Sequence, residues 1–320
     1  MSAVTAVERL GHGRRLRDRF GDRALLGLTG LASLAAILVM VAIVLKVFGA
    51  SRLAYDKFGL AFLWGRVWDA NVDVYGALPF IFGTLVTSLM ALVIAVPLAI
   101  AIGLFLSELA PRALRTPVGT MVELLAAIPS VVLGLWGILV LGPFLNEHVE
   151  PWMIRHLGFI PYFDGYPSPV GLLPACLILT IMVVPIVASI SRELFSGVPS
   201  ELKQGAMALG ATRWEMVRQV AIPQVGGGLV AAVMLGFGRA FGEAIAVTQV
   251  IGGSLVRPVS IYAPSDTLAS RLAAQYQGTA TTLQKSSLAY LAVILLVISL
   301  ATNLVAQLLV RRINRRLRTG

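Results

Sequence analysis

The chain has 320 residues, of which 57% are hydrophobic and 13% charged, and its net charge is +10. Soluble domains carry about 25% charged residues, so this balance excludes an ordinary water-soluble globule and points to a surface that faces lipid. The positive charge does not mark a nucleic-acid binder, because it is sorted among the loops between apolar runs.

In chain order, residues 1–23 form a basic head. The run Ala24 to Leu45 then carries no charge over 22 residues. A helix needs about 20 apolar residues to cross a bilayer, and a cleavable signal core has only about 7–15. The expectation is a retained first helix ending near residue 48. An outer segment, 50–76, holds Trp64, Trp68 and Tyr75, which are expected at the membrane interface. Charge-free stretches from Val74 to Ser107 and from Leu124 to Asn146 place a second helix at 78–107 and a third at 117–142. An outer loop, 143–169, is rich in proline (Pro143, Pro151, Pro161, Pro167, Pro169) and has room for one short helix around Trp152 to Leu157. A fourth helix is expected at 170–192 and a fifth at 223–252, with an inner polar stretch between them. An outer segment, 253–284, precedes a sixth helix at 285–311. Prolines within the spans, among them Pro97, Pro129, Pro174, Pro185 and Pro223, are tolerated because neighbouring helices satisfy the backbone groups they free.

With both termini inside, 17 of the 26 basic residues fall in inner segments, 8 fall in outer ones, and Arg239 lies within a span. This asymmetry supports cytoplasmic termini. The basic ends read as topology anchors and anionic-lipid contacts. The chain therefore divides into a basic head 1–23, a first helix with its outer segment 24–76, a core 77–311 and a basic tail 312–320. Cys176 stands alone, so no disulfide forms within the chain. His12, His148 and His156 are scattered and suggest no metal site.

The inner stretch Glu193 to Pro223 is the most informative loop. Pro199 and Ser200 offer a turn and a helix cap, and Gly210 suggests a bend between two short helices. In the second of these, Trp214, Val217 and Val220 recur at helical spacing. Such a helix pair docks in a partner's groove or rests on the bilayer surface; spacing alone leaves both open.

This segment resembles the EAA loop of ABC-importer permeases. The pattern appears as Gln204-Gly205-Ala206, then Gly210, then Val220-Ala221-Ile222-Pro223, with Gln-Gly in place of the leading Glu-Ala. Ala211 and Trp214 fall within the same loop. The resemblance implies insertion of residues 200–222 into a groove on an ATPase subunit. Three further blocks, Ile128 to Pro143, Leu235 to Gly253 and Ser260 to Ser270, are similar to the PstC-type family of phosphate permeases. That family usually has Thr after the Glu, where Ala244 stands here, and often Asn at the position of Gly253. The resemblance implies an all-α, type I ABC-importer permease with about six membrane helices, seated in the cytoplasmic (inner) membrane. It also implies a PstA-type second permease, PstB-type ATPases that hold ATP and Mg, and a PstS-type extracytoplasmic phosphate-binding protein. The outer loops 143–169 and 253–284 are expected to meet that binding protein. No cofactor is expected on this chain itself.

Within the fifth span, Arg239 and Glu243 are one helical turn apart and are expected on one helix face. A charge at mid-membrane costs about 2.5–3.5 kcal/mol on insertion scales, so such residues face a bundle interior or a wet cavity. Guanidinium presents two parallel donors to a phosphate. On the transport reading, phosphate takes over Arg239 from Glu243, and the carboxylate accepts a hydrogen bond from protonated phosphate while repelling sulfate. On the structural reading, the two residues are an ion pair that fixes helix packing, and Gly238 and Gly242 form a small-xxx-small motif beside it. Glu123, the other acid at membrane level, reads as structural.

No Gly-Lys dipeptide occurs, so the chain has no P-loop and is not expected to hydrolyse ATP. Nor does it carry H-E-x-x-H or G-x-S-x-G. The rival readings are a PstA-type sibling, a permease for molybdate or sulfate, an ion-coupled carrier or channel, and a membrane-embedded enzyme. A scarcity of further buried charge is the expectation that counts against a carrier.

Overall fold

The computed structural model describes the backbone of residues 3–256 and 258–319, and the side chains of residues 21–256, 258–308 and 310–312. The side chains of most of the basic head and tail therefore lie outside the described residues, as does Arg257. Among the described residues, six helices are long and apolar enough to cross a membrane. The chain divides into two compact units, Met1–Ala50 and Ser51–Gly320.

The first unit is helix α1 (Ala3–Phe58) up to residue 50. Its apolar residues are exposed all round, among them Leu26, Leu31, Ile37 and Met40. Its hydroxyls are satisfied within the helix: Thr29 donates to the Leu25 carbonyl at 2.7 Å and Ser33 to the Thr29 carbonyl at 2.8 Å. Hydroxyls bonded to their own helix carbonyls suit hydrocarbon.

The second unit begins with the end of α1, which runs ten residues beyond the expected stop near 48. A 3₁₀ turn, Gly59–Leu63, leads into an antiparallel hairpin, β1 (Trp68–Asp69) and β2 (Val74–Tyr75), with Trp68 opposite Tyr75. Trp68 and Tyr75 are buried rather than interfacial, and only Trp64 is exposed. Trp68 stacks edge-on against Tyr75 at 4.9 Å and Phe80 at 5.2 Å, and Phe62 stacks on Tyr290 at 4.6 Å. The hairpin closes because Gly65 and Gly76 touch: a β-carbon on Gly65 would lie 2.7 Å from the Gly76 Cα. Residues 51–76 thus belong with the core rather than with the first span.

The centre of this unit is α2 (Leu78–Leu104) against α7 (Leu172–Ser196). Ala91, Ala95, Ala99 and Gly103 repeat every fourth residue and are buried, so α2 presents a smooth small-residue face. A β-carbon on Gly103 would come within 2.7 Å of the Ser191 Cβ, which shows how close the two helices run. Ile178, Leu179, Val183 and Val187 of α7 fill the opposite side.

Four helical turns are wide, with π geometry: Phe105–Leu109, Gly137–Leu141, Leu145–Val149 and Val217–Ala221. Each ends two residues before a proline: Pro111, Pro143, Pro151 and Pro223 respectively. The carbonyl four residues before each proline lies at the centre of its wide turn. Proline lacks the N–H that would bond this carbonyl, and its ring would strike it in a regular turn, so the helix opens there: before Pro143, Pro151 and Pro223 it continues, whereas before Pro111 it ends at an extended Ala110.

The expected third helix, 117–142, is not one helix. α3 (Arg112–Ala126) ends before Pro129, whose extended backbone starts α4 (Ser130–Trp136). From there α4, the wide turns, α5 (Gly142–Phe144) and α6 (Glu150–Leu157) form one span over 130–157. Most of the first half of the expected loop 143–169 is therefore helical. Glu123 of α3 is exposed and pairs with Arg192 of α7 at 3.4 Å.

The inner stretch forms α8 (Ser200–Ala208) and α9 (Arg213–Met216). α9 continues through a wide turn into α10 (Ile222–Gly242). The expected helix 223–252 breaks at Glu243, and α11 (Ile245–Val250) follows. Gly252 and Gly253, both at positive φ, turn the chain into an outer loop that bonds back to α11 through Ser265 N–H to Ile251 O at 2.9 Å. α12 (Leu268–Gln275) and the last span, α13 (Thr282–Thr319), complete the fold.

Candidate translocation site and coupling surface

The break between α10 and α11 positions the two charges singled out by the sequence. Glu243 has φ −71° and ψ 120°, an extended residue between two helices. Its Oε1 accepts the Ala246 N–H at 3.2 Å, so its side chain caps α11. Its Oε2 lies 3.8 Å from Arg239 Nη2. Arg239 sits on the last turn of α10 and Glu243 at the first turn of α11, so each charge opposes the dipole of its helix end. The pair meets across a helix break, not along one helix face as expected. The two partners differ in exposure: the Glu243 side chain is 8% exposed and that of Arg239 47%.

Arg239 opens onto a groove of about 830 Å³ between α10 and α13. Gly238 borders the same groove. A β-carbon at Gly238 or Gly242 would meet nothing within 4 Å, so neither is a packing glycine within this chain. Helix packing falls instead to Gly236, where a β-carbon would lie 2.8 Å from Val187, and to Gly228, where it would lie 2.6 Å from Leu194.

The loop between the fourth and fifth spans, the candidate coupling surface, is built as two short helices joined at a glycine. Gly210 has φ +91°, a conformation that side chains disfavour, and nothing lies within 4 Å of its would-be β-carbon. The Ala211 N–H returns to the Ala206 carbonyl at 3.2 Å and closes α8. Thr212 and Glu215 form a reciprocal capping box that starts α9. Ala206 packs on a small core of Phe195, Met216 and Val217. Gln204, Gly205 and Pro223 are exposed. Trp214 is 64% exposed and Leu209 92%, so the outer side of the pair presents large apolar groups. Beneath it, Lys203 Nζ lies 2.5 Å from Glu108 Oε1 and donates to the Phe195 carbonyl at 3.0 Å.

Sequence reasoning missed further buried charge. Arg271 lies 2.8 Å from Asp266, with both side chains buried. Arg271 also donates to the Gly253 carbonyl at 3.2 Å and covers the Phe80 ring at 5.0 Å. Asp266 additionally accepts the Ser270 hydroxyl and the Thr267 N–H. Burial pushes the Asp266 carboxyl up, against the opposing pull of Arg271, Ser270 and Thr267. Glu150 is fully buried, with Oε2 accepting the Ser168 N–H at 2.7 Å. The expected scarcity of buried charge is therefore wrong. Arg271 reads in sequence as an ordinary outer-segment charge, and the fold encloses its pair with Asp266 against the Phe80 ring, the Gly253 carbonyl and the close approach of Gly83 to the Asp266 carbonyl.

Residues 96–319 match the family model described as binding-protein-dependent transport system inner membrane component. The phosphate transport system permease protein PstC of Haemophilus influenzae is 42% identical over 291 residues, covering 90% of this chain and 92% of that protein. PstC 1 of Mycobacterium tuberculosis is 41% identical over 292 residues, covering 85% and 86%. A chain of the bacterial alginate ABC transporter, solved with an alginate pentasaccharide-bound periplasmic protein, superposes with a TM-score of 0.61 at 17% identity, over 91% of this chain and 96% of that one. That likeness shows the fold alone: an all-α, multi-pass permease of type I architecture. With the family model spanning more than half its length and relatives of this similarity along most of it, the chain belongs to the inner-membrane components of binding-protein-dependent transport systems, among the PstC permeases.

Proposed function

We infer that this chain is one of two permease subunits of an ATP-driven importer of inorganic phosphate and forms half of its route, with Arg239 as a ligand of the passing anion. The substrate class is taken from the names of its relatives. The observation that carries the residue assignment is the division of labour at the helix break. Glu243 is buried and tied to the cap of α11, whereas Arg239 is half exposed on an open groove and held only by a 3.8 Å contact. A guanidinium held so loosely is free to exchange its carboxylate for a phosphate at little cost. The buried carboxylate remains beside it as an acceptor for the proton of a monoprotic or diprotic phosphate and repels a fully ionised sulfate.

On this reading the termini face the cytoplasm, and the exposed face of α8 and α9, with Leu209 and Trp214, docks on a PstB-type ATPase that holds ATP and Mg. A PstA-type permease supplies the other half of the route, and a PstS-type binding protein delivers phosphate to the outer loops. The test is uptake of radiolabelled phosphate by membranes carrying Arg239→Gln, with complex assembly measured separately. Uptake should fall at least tenfold, as expected for loss of a charged hydrogen-bonding group. Normal uptake by an assembled mutant overturns the role of Arg239. A permease for molybdate or sulfate is the second reading, and competition by those anions distinguishes it.

A further inference from the structure

The groove beside Arg239 has a second wall that the sequence reading did not single out. On α13, Asn303, Gln307 and Arg311 follow one another at intervals of four residues, and all three border the groove. One step of four residues rises about 6 Å along a helix, so the three side chains mark about 12 Å of its length. The same helix exposes Leu300, Leu304 and Leu308 elsewhere on its surface. Two amides within a span are costly against hydrocarbon, and Arg311 continues their row to the end of that span. Their confinement to one row beside Arg239 calls for water or an ion, not lipid. None of the three side chains makes a hydrogen bond or ion pair with a described residue, so their donors are uncommitted. Among the described residues no acidic one borders the groove, which presents N–H donors and two guanidinium groups.

We propose that Asn303, Gln307 and Arg311 line the anion's route beyond Arg239, as a row of donors that replaces the water shed by phosphate. The inference rests on the assignment of Arg239 to that route. Each amide offers two N–H donors and Arg311 a planar fork. Neutral amides bind phosphate weakly enough to release it, and the two guanidinium groups draw the anion into the groove, so binding is favourable enough to enter without a deep trap. The competing occupant is a helix of the second permease, for which the amides would serve as interhelical hydrogen-bonding groups.

Cysteine accessibility in the assembled importer separates these occupants. The chain's only cysteine, Cys176, is fully buried, and Cys176→Ala gives a blank background in an importer otherwise free of cysteine. Single Gly238→Cys, Asn303→Cys, Gln307→Cys, Arg311→Cys and Leu308→Cys variants are treated with a charged, water-soluble methanethiosulfonate, with and without inorganic phosphate during turnover; Gly238 borders the groove beside Arg239 and has room for a side chain. The four groove positions should be labelled, with phosphate slowing labelling several-fold, and Leu308→Cys should stay inert. If Gly238→Cys is labelled and protected while Asn303→Cys and Gln307→Cys are inert or unprotected, the row is overturned and the assignment of Arg239 stands. If Gly238→Cys is inert or unprotected too, both fall. Gln307→Leu gives an independent readout: uptake should drop about tenfold in maximal rate at full assembly, in line with a lost bond to a charged group, and Gln307→Asn should restore part of it. Wild-type uptake by Gln307→Leu overturns the proposal.

Discussion

Lys203 of α8 and Glu108 at the C-terminal end of the α2 span form a 2.5 Å ion pair whose side chains are 15% and 12% exposed. Lys203 also holds the Phe195 carbonyl near the end of α7. One ammonium thus ties the first coupling helix to the ends of the two helices that make the centre of the fold. Motion imposed on α8 reaches α2 and α7 through a short, stiff link. Removing either partner leaves a largely buried charge unpaired, at a cost of about 2–4 kcal/mol. Lys203→Met and Glu108→Gln should each lower the thermal stability of the detergent-extracted complex and its uptake. The double variant Glu108→Leu with Lys203→Met should recover most of the stability but not the uptake. Recovery of both by the double variant would show that the pair serves stability alone.

The hinge at Gly210 offers a cleaner test of coupling, because its would-be β-carbon meets nothing. A substitution there acts through backbone strain alone. At φ +91°, a β-branched residue is strained by about 1–3 kcal/mol, and asparagine, which tolerates this region better, by less. Gly210→Val should change the angle between α8 and α9 and uncouple ATP hydrolysis from uptake, with Gly210→Asn intermediate. The measurement is the ratio of phosphate transported to ATP hydrolysed in proteoliposomes. An unchanged ratio in Gly210→Val would remove the hinge from the coupling path.

These two features differ in how far the sequence showed them. Gly210 was legible as a bend because a glycine between two helical patterns has one common meaning. Lys203 was legible only as a charge near a helix start, since its partner lies 95 residues away. The apolar runs located the second, fourth and sixth spans closely, because hydropathy over a membrane thickness is a strong signal. The third span was misplaced because Pro129 and Pro185 look alike in apolar surroundings. Pro185 stays inside α7, whereas α3 breaks from α4 at Pro129 and pairs with Arg192. Trp68 and Tyr75 were read as interfacial because ring chemistry is the same in a membrane belt and in a buried cluster. The ring contacts of Trp68 with Phe80 and of Phe62 with Tyr290 show that the hairpin folds in.

The Asp266–Arg271 pair should reveal itself through pH. Burial raises the folded-state value of Asp266, and Arg271 opposes that rise. A carboxyl whose folded value lies above its unfolded value contributes stability that is complete below the unfolded range and is lost as pH rises through the folded value. Arg271→Met removes the opposing charge, so the folded value climbs further and that loss deepens at neutral and alkaline pH. The thermal stability deficit of Arg271→Met relative to the parent should be larger at pH 8 than at pH 5. Asp266→Asn combined with Arg271→Met should abolish the pH dependence of the deficit. A deficit equal at both pH values would mean that Asp266 is not the titrating group.

Glu243 serves two structures with one carboxylate, and two substitutions separate them. Its Oε1 caps α11 and its Oε2 faces Arg239. Glu243→Gln keeps an oxygen for the Ala246 N–H but removes the charge, whereas Glu243→Ala removes both. Loss of a cap costs about 1 kcal/mol, so only Glu243→Ala should lower stability noticeably. Both should change selectivity if the carboxylate discriminates by accepting a proton-bearing ligand. An amide at this position no longer repels a fully ionised anion, so sulfate should inhibit phosphate uptake by the Glu243→Gln importer more strongly than uptake by the parent. Competition is best measured with phosphate held near its half-saturating concentration and sulfate in excess, in parallel with thermal unfolding of the same preparations. If Glu243→Gln retains the parent's indifference to sulfate, Glu243 is a helix cap and an ion-pair partner, and selectivity resides elsewhere along the route.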